Sequence, residues 1–245
     1  MHSNPLNEVF TELKTEGLRT ASIVRNYPKS PFPYEKSPLY YWGPELSRSY
    51  RSVLSSDFVD TSASGVYLEL GSFFGCGSTQ DVLQHTEMQC ICVDNFSIPY
   101  RWWKHNKGPE HRRPNSAVPG LHLNQMPFFK GQGTHLDHFM HNTWDYRDRI
   151  VPIQCDIEPE ILDAIYDAGV VPDLVFIDDD HSYAPLRWRL DFIRSHWPSA
   201  VVVCDDYKKQ NWPGVVEAVD EALNDGFYSK EKSKELAERL YLLRN

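Results

Sequence analysis

Residues 65–79 read Gly-Val-Tyr-Leu-Glu-Leu-Gly-Ser-Phe-Phe-Gly-Cys-Gly-Ser-Thr. A short apolar run, 65–70, stops at a cluster of glycines, and 79–85 then begins with the spacing of a helix. A strand, a glycine turn and a helix in that order form the opening unit of a parallel sheet, because parallel neighbours need a crossover and a helix supplies it. Working outward, related units recur. Residues 88–93 (MQCICV) stop at Asp94, 149–155 (RIVPIQC) at Asp156, 172–177 (PDLVFI) at Asp178 and 200–204 (AVVVC) at Asp205. Residues 158–168, 184–196 and 213–224 carry apolar side chains at helical period, the last with Pro213 in its first turn. Short, nearly continuous apolar runs separated by helices predict an α/β fold with a doubly wound, mostly parallel sheet covered on both faces.

Most of these runs end in an acidic residue. In a doubly wound sheet the carboxyl ends of the strands line the ligand crevice. Asp94, Asp156, Asp178 and Asp205, far apart in sequence, are therefore expected on one rim. The competing reading of each is a turn former that simply ends its strand.

The chain has 245 residues, 41% apolar and 24% charged, an ordinary globular composition. A chain of this length buries enough surface to need no disulfide or metal for its core. With 25 basic and 34 acidic residues the net charge is −9, which argues against nucleic-acid binding through bulk electrostatics. No apolar run reaches the length of a membrane span, and Met1 to Lys14 is polar and mixed in charge, so a cytoplasmic location away from membranes is expected. The cysteines are five, Cys76, Cys90, Cys92, Cys155 and Cys204, an odd number with no CxxC pair. They read as reduced buried thiols rather than as a disulfide or zinc framework.

Glycines between strand and helix allow a ligand close to the backbone, and the helix start offers free N–H groups. The spacing is neither GxGxxG nor a phosphate loop with its Lys. Glu69, just before the turn, would repel a pyrophosphate and attract an ammonium. Asp94 lies 23 residues after Gly71 and is placed to accept from both hydroxyls of a ribose. A nucleoside with a cationic, amino-acid end and no phosphates fits these groups, and S-adenosylmethionine is such a molecule. Glycines used for packing alone are the competing reading.

The segments ELGSFFGCGST (69–79), VDN (93–95), DLVFIDDDHSY (173–183) and VVVCDDY (201–207) resemble class I S-adenosylmethionine-dependent methyltransferases. Within that class they are similar to the metal-dependent sugar and macrolide O-methyltransferases and the cephalosporin-hydroxylase-like proteins. The resemblance spans residues 63–225, interrupted by 96–149. It implies a seven-stranded Rossmann-like methyltransferase fold. It also implies a cofactor seat of Glu69, Gly71, Ser72, Gly75, Gly77, Ser78, Asp94, Asn95, Asp156 and Asp178. One departure is visible. Turns of this family commonly read E-x-G-x-x-x-G-x-S, and Gly77 stands at the Ser position or is one residue extra.

Asp178, Asp179, Asp180 and His181 follow one run, and Asp205 and Asp206 the next. Crowded carboxylates disfavour joint ionisation unless a cation sits among them. Oxygen donors select a hard divalent ion, Mg²⁺ first. The resemblance assigns the metal to Asp178, Asp205 and Asp206. His181, with a pKa ordinarily near neutrality, is the expected general base, and Asp178 joins it as a catalytic residue. The expected reaction is methyl transfer to a hydroxyl of a small polar, sugar-like or natural-product substrate. A nicotinamide-dependent oxidoreductase and a catalytically silent nucleoside-binding domain are the alternatives. For the metal, neutralisation of the pair by Lys208 or Lys209 is the competing reading.

Two segments differ from the rest. Residues 1–60 are expected to form an N-terminal arm, irregular over 26–60 where Pro28, Pro31, Pro33, Pro38 and Pro44 recur, and acting as a lid or a dimer contact. Residues 61–245 form the main domain, with 96–149 as an insertion carrying its own helices or serving as a lid. In it, 101–113 (RWWKHNKGPEHRR) is a basic, aromatic patch suited to an anionic or sugar-bearing substrate. His135, His138 and His141 at helical spacing suggest a zinc ligand set without an evident fourth member, or plain surface.

Overall fold

The structure is a computed structural model that describes residues 22–23, 65–97, 133–208, 210, 212–236 and 239–245. The arm residues 26–60 and the basic patch 101–113 lie outside the described residues. The strands are β1 (Ser22–Ile23), β2 (Val66–Leu70), β3 (Gln89–Asp94), β4 (Ile150–Gln154), β5 (Leu174–Ile177), β6 (Val201–Cys204), β7 (Lys234–Leu236) and β8 (Leu240–Leu243). They form one sheet in the order β1-β4-β3-β2-β5-β6-β8-β7. The five central strands are parallel, while β8 runs antiparallel to β6 and β7. The seven strands β2 to β8 form the expected Rossmann-like sheet. A two-residue piece of the N-terminal segment, β1, adds an eighth strand antiparallel to β4 at the edge.

The helices are α1 (Ser78–His85), α2 (His135–Asn142), α3 (Pro159–Asp167), α4 (Tyr183–His196) and α5 (Pro213–Asn224). Side chains alternate across each strand, so one sequence fills two cores. Leu68, Leu70, Ile91, Val93, Val175 and Ile177 meet Leu162, Ile165, Leu190, Ile193 and Val219 of α3, α4 and α5 on one face. Tyr67, Cys90, Cys92, Phe176 and Val203 meet Val82 and Leu83 of α1 and Phe139 of α2 on the other. Each fully buried aliphatic or Phe side chain is worth about 1.5–3 kcal/mol. The five cysteines are free and buried, as expected. Helix α2 comes from the 96–149 segment, yet it is packed into the second core and opened by a Thr134–Asp137 capping box. No helix among the described residues is long and apolar enough to cross a membrane.

Register fixes the rim. Leu70 is paired with Val93 and with Ile177, and Ile177 with Cys204. Gly71, Asp94, Asp178 and Asp205 therefore leave the sheet side by side. Backbone bonds continue the pattern past the strands: Gly71 N donates to Val93 O at 2.8 Å, Asp178 N to Leu70 O at 2.8 Å and Asp205 N to Ile177 O at 3.0 Å.

Candidate active site

On the β2 side the turn is dictated by close approach. Gly71 has φ +93°, and a Cβ there would lie 2.2 Å from the Asp178 carbonyl oxygen. Gly75, at φ +62°, faces the Phe139 ring of α2, which a Cβ would meet at 2.8 Å. Phe73, a non-glycine at φ +51°, is held between them. Its N–H donates to Asp94 Oδ2 at 2.8 Å, and Asp94 Oδ1 accepts from Phe96 N at 2.7 Å. Burial pushes the Asp94 carboxyl up to about 6, against the pull of those two N–H groups. Beyond it, Asn95 Nδ2 donates to Asp156 Oδ1 at 3.1 Å, so the ends of β3 and β4 join in an exposed pair. Ser72 is buried, and Gly77 caps α1 by its backbone position without a side-chain bond.

Glu69 differs from its expectation as an ammonium contact. It has no exposed surface. It accepts from Tyr67 Oη at 2.9 Å and from the hydroxyls of Ser78 and Thr79. The period of two is the reason: position 69 points with Tyr67 toward the α1 face rather than out of the sheet edge. Burial raises its pKa and the hydroxyl bonds oppose the rise. Glu69 ties β2 to the first turn of α1.

On the β5 and β6 side, His181 Nε2 lies 3.4 Å from Asp178 Oδ1 and 3.2 Å from Asp206 Oδ2, in ion-pair range but off hydrogen-bond direction. Among the described residues these three form a group of ligating side chains close enough to share one ion. Asp205, expected as a ligand, is turned elsewhere. Arg239 grips it with two bonds, Nε to Oδ1 and Nη2 to Oδ2, both 2.8 Å. Its side chain is 1% exposed against 30% for Asp178. Two carboxylates with room for water still suit a hard divalent cation, which keeps several waters of its own; the expected trio of carboxylates does not assemble.

The basicity of His181 also departs from expectation. Burial lowers its pKa, but Asp178 and Asp206 outweigh burial and push it up to about 10. The imidazole therefore carries a proton at neutral pH while both carboxylates face it. Asp178 is itself raised, first by burial and then by the charge of Asp205. Asp179 pairs instead with Arg189 of α4 at 2.5 Å, and Asp180 accepts from Ser182 N at 2.8 Å just ahead of α4. His135, His138 and His141 are buried, and His135 packs edge-on against Phe73, Phe74 and Phe96. Burial lowers its pKa to about 4, so it stays neutral.

Three residues of the site escape sequence reading. Trp212 stacks on the His181 ring at 4.4 Å, and Gly214 brings α5 against the His181 and Tyr183 backbone. Pro213 announced the helix but not what the residue before it touches. Arg239 stands 34 residues from Asp205 and sits in no motif. Only the antiparallel return of β8 brings it to the rim.

No family model and no curated protein matches this chain. Solved structures align with it. Two of CalS11, a TDP-rhamnose 3′-O-methyltransferase of calicheamicin biosynthesis, are 17% and 20% identical. Each alignment covers 82% of this chain and 77% of that one, with TM-scores of 0.46 and 0.48. Aeropyrum pernix fibrillarin, solved with natively bound S-adenosyl-L-methionine, is 9% identical over 88% of this chain and 84% of its own, at a TM-score of 0.48.

Proposed function

We propose that this protein is an S-adenosylmethionine-dependent O-methyltransferase acting on a hydroxyl of a small polar molecule, sugar-like or a natural product. The observation that carries the reading is the double position of Asp178. Its backbone carbonyl packs where a Gly71 side chain would stand, against the glycine turn, and its carboxylate reaches His181. Asp178 thus joins the glycine turn to the His181 group, which supports a cofactor at the turn and an acid–base group beside it.

S-adenosylmethionine supplies an electrophilic methyl on a sulfonium sulfur. Asp94 would accept from the ribose hydroxyls with the lone pairs that Phe73 and Phe96 leave, and the Asn95–Asp156 pair would border the adenine. Asp178 and Asp206 would hold Mg²⁺, which would supply polarisation of the acceptor oxygen. A cation held by Asp178 and Asp206 would offset the two charges that raise the His181 pKa, and the neutral imidazole would then take the hydroxyl proton at Nε2. Trp212 keeps the imidazole plane fixed by stacking. Holding oxygen and methyl carbon in line contributes much of the rate.

Calorimetry tests the reading. Micromolar binding of S-adenosylhomocysteine with no binding of NAD is the expected result. NAD binding alone would make the chain an oxidoreductase, and neither would make it a silent domain. With extracts and labelled cofactor identifying an acceptor, His181→Ala should lower turnover by about 10²–10⁴-fold while S-adenosylhomocysteine still binds. Unchanged turnover would remove His181 from the mechanism.

A further inference from the structure

The acidic pair after β6 is handled by the chain itself. Arg239 Nη2 lies 2.8 Å from Asp205 Oδ2 and 2.6 Å from Asp206 Oδ1, while its Nε holds Asp205 Oδ1. One guanidinium thus spans both carboxylates. Asp206 N adds a bond to Asp205 Oδ1 at 2.6 Å. Asp206 is held at φ +55°, a left-handed conformation that a non-glycine keeps only where its surroundings impose it. The backbone joins in: Tyr207 N donates to Arg239 O at 2.8 Å, locking the residue after the pair to the arginine. With Asp206 Oδ1 taken, its Oδ2 is the oxygen left facing His181 and Asp178. Planar, two-pronged contact of this kind belongs to arginine and not to lysine.

We propose that Arg239 is a positioning residue that withdraws Asp205 from the cation seat and aims Asp206 into it, so that the rim offers an ion two carboxylates rather than three. The inference rests on the cation part of the function proposed above. It gives the C-terminal hairpin a role at a site built by strands β5 and β6. It also makes Arg239 a built-in counter-charge that keeps affinity for a divalent ion low.

Mn²⁺ followed by electron paramagnetic resonance tests this without any methyl acceptor. Arg239→Ala frees Asp205 and removes a nearby positive charge, so Mn²⁺ should bind at least about tenfold tighter than to the wild type. Arg239→Lys keeps charge and loses the fork, and should gain about threefold. Adding Asp205→Asn to Arg239→Ala should return affinity to near the wild-type value, which assigns the gain to Asp205. A purely structural arginine would give weaker or equal binding in Arg239→Ala with a native near-ultraviolet spectrum, and that result overturns the proposal. If Arg239→Ala does not fold, Asp205→Asn alone decides: affinity close to wild type supports the proposal, and loss of binding makes Asp205 a ligand and ends it. Wild type without binding beside Arg239→Ala with binding upholds the role of Arg239 and removes the metal from the proposed function. Binding by neither protein overturns both.

Discussion

The two halves of the rim treat charge in opposite ways. Around the glycine turn, the carboxylates hold the shape of the backbone. Glu69 is enclosed by three hydroxyls, and each oxygen of Asp94 takes a backbone N–H. Around β5 and β6, one imidazole nitrogen stands between two carboxylate oxygens, a third carboxylate is tied off by Arg239, and Asp206 is kept in a left-handed conformation. The first half uses its carboxylates as hydrogen-bond braces, although burial disfavours their charge. The second holds like charges together because the rest of the fold forces it. The difference gives each half its own response to substitution.

The largest effect is expected at the seam between them. Gly71→Ala combines φ +93° with a Cβ 2.2 Å from the backbone of Asp178, and backbone cannot swing aside as a side chain can. A loss of about 3 kcal/mol or more is expected in urea denaturation, and both halves should fail together. If nucleoside binding alone fell while stability held, the two halves would be independent and the seam would be a misreading.

Next come two substitutions of opposite sign. Glu69→Leu removes the acceptor of Tyr67, Ser78 and Thr79 inside the protein and should cost about 2–3 kcal/mol, because buried hydroxyls lose their partner. Asp178→Asn removes a charge that burial and Asp205 already disfavour, and should stabilise by about 1 kcal/mol while abolishing turnover. Thermal denaturation of the two variants side by side is decisive. If Asp178→Asn also destabilised, its carboxylate would be a structural partner of His181, and the contrast between the halves would collapse.

How much of this stood in the sequence follows from what each feature depends on. Strands and helices were legible because apolar runs and helical period are local, and α4 and α5 start within a residue of where period and Pro213 place them. The joint arrival of Asp94, Asp178 and Asp205 at one edge was legible because parallel strands share a direction. The side to which Glu69 points depends on strand phase, which the glycine turn after it does not reveal. Arg239 depends on an antiparallel return from the far end of the sheet, and no spacing in the chain announces it. The proton on His181 depends on two carboxylates from different loops, a property of distances rather than of residue type.

The finest distinction concerns Asp94, which belongs to the turn half and yet faces the proposed ribose. Its carboxyl sits at about 6 when folded, because burial outweighs two N–H bonds, against about 3.9 in an unfolded chain. Between roughly pH 4 and pH 6 the folded state thus holds more protons than the unfolded state, and stability falls as pH rises through that window. Asp94→Asn removes this contribution and leaves those of Asp178 and Asp179 in place. Between pH 6.5 and 4.5 the wild type should therefore gain about 1 kcal/mol relative to Asp94→Asn in urea denaturation, discounted for the partial exposure of the group. Over the same fall in pH, S-adenosylhomocysteine should bind the wild type more weakly, because a protonated Asp94 loses acceptors for the ribose hydroxyls. A wild type that binds equally at both pH values while showing the stability difference would keep Asp94 as a pure brace. The turn half would then be structural throughout, and the ligand's ribose would have to lie elsewhere on the rim.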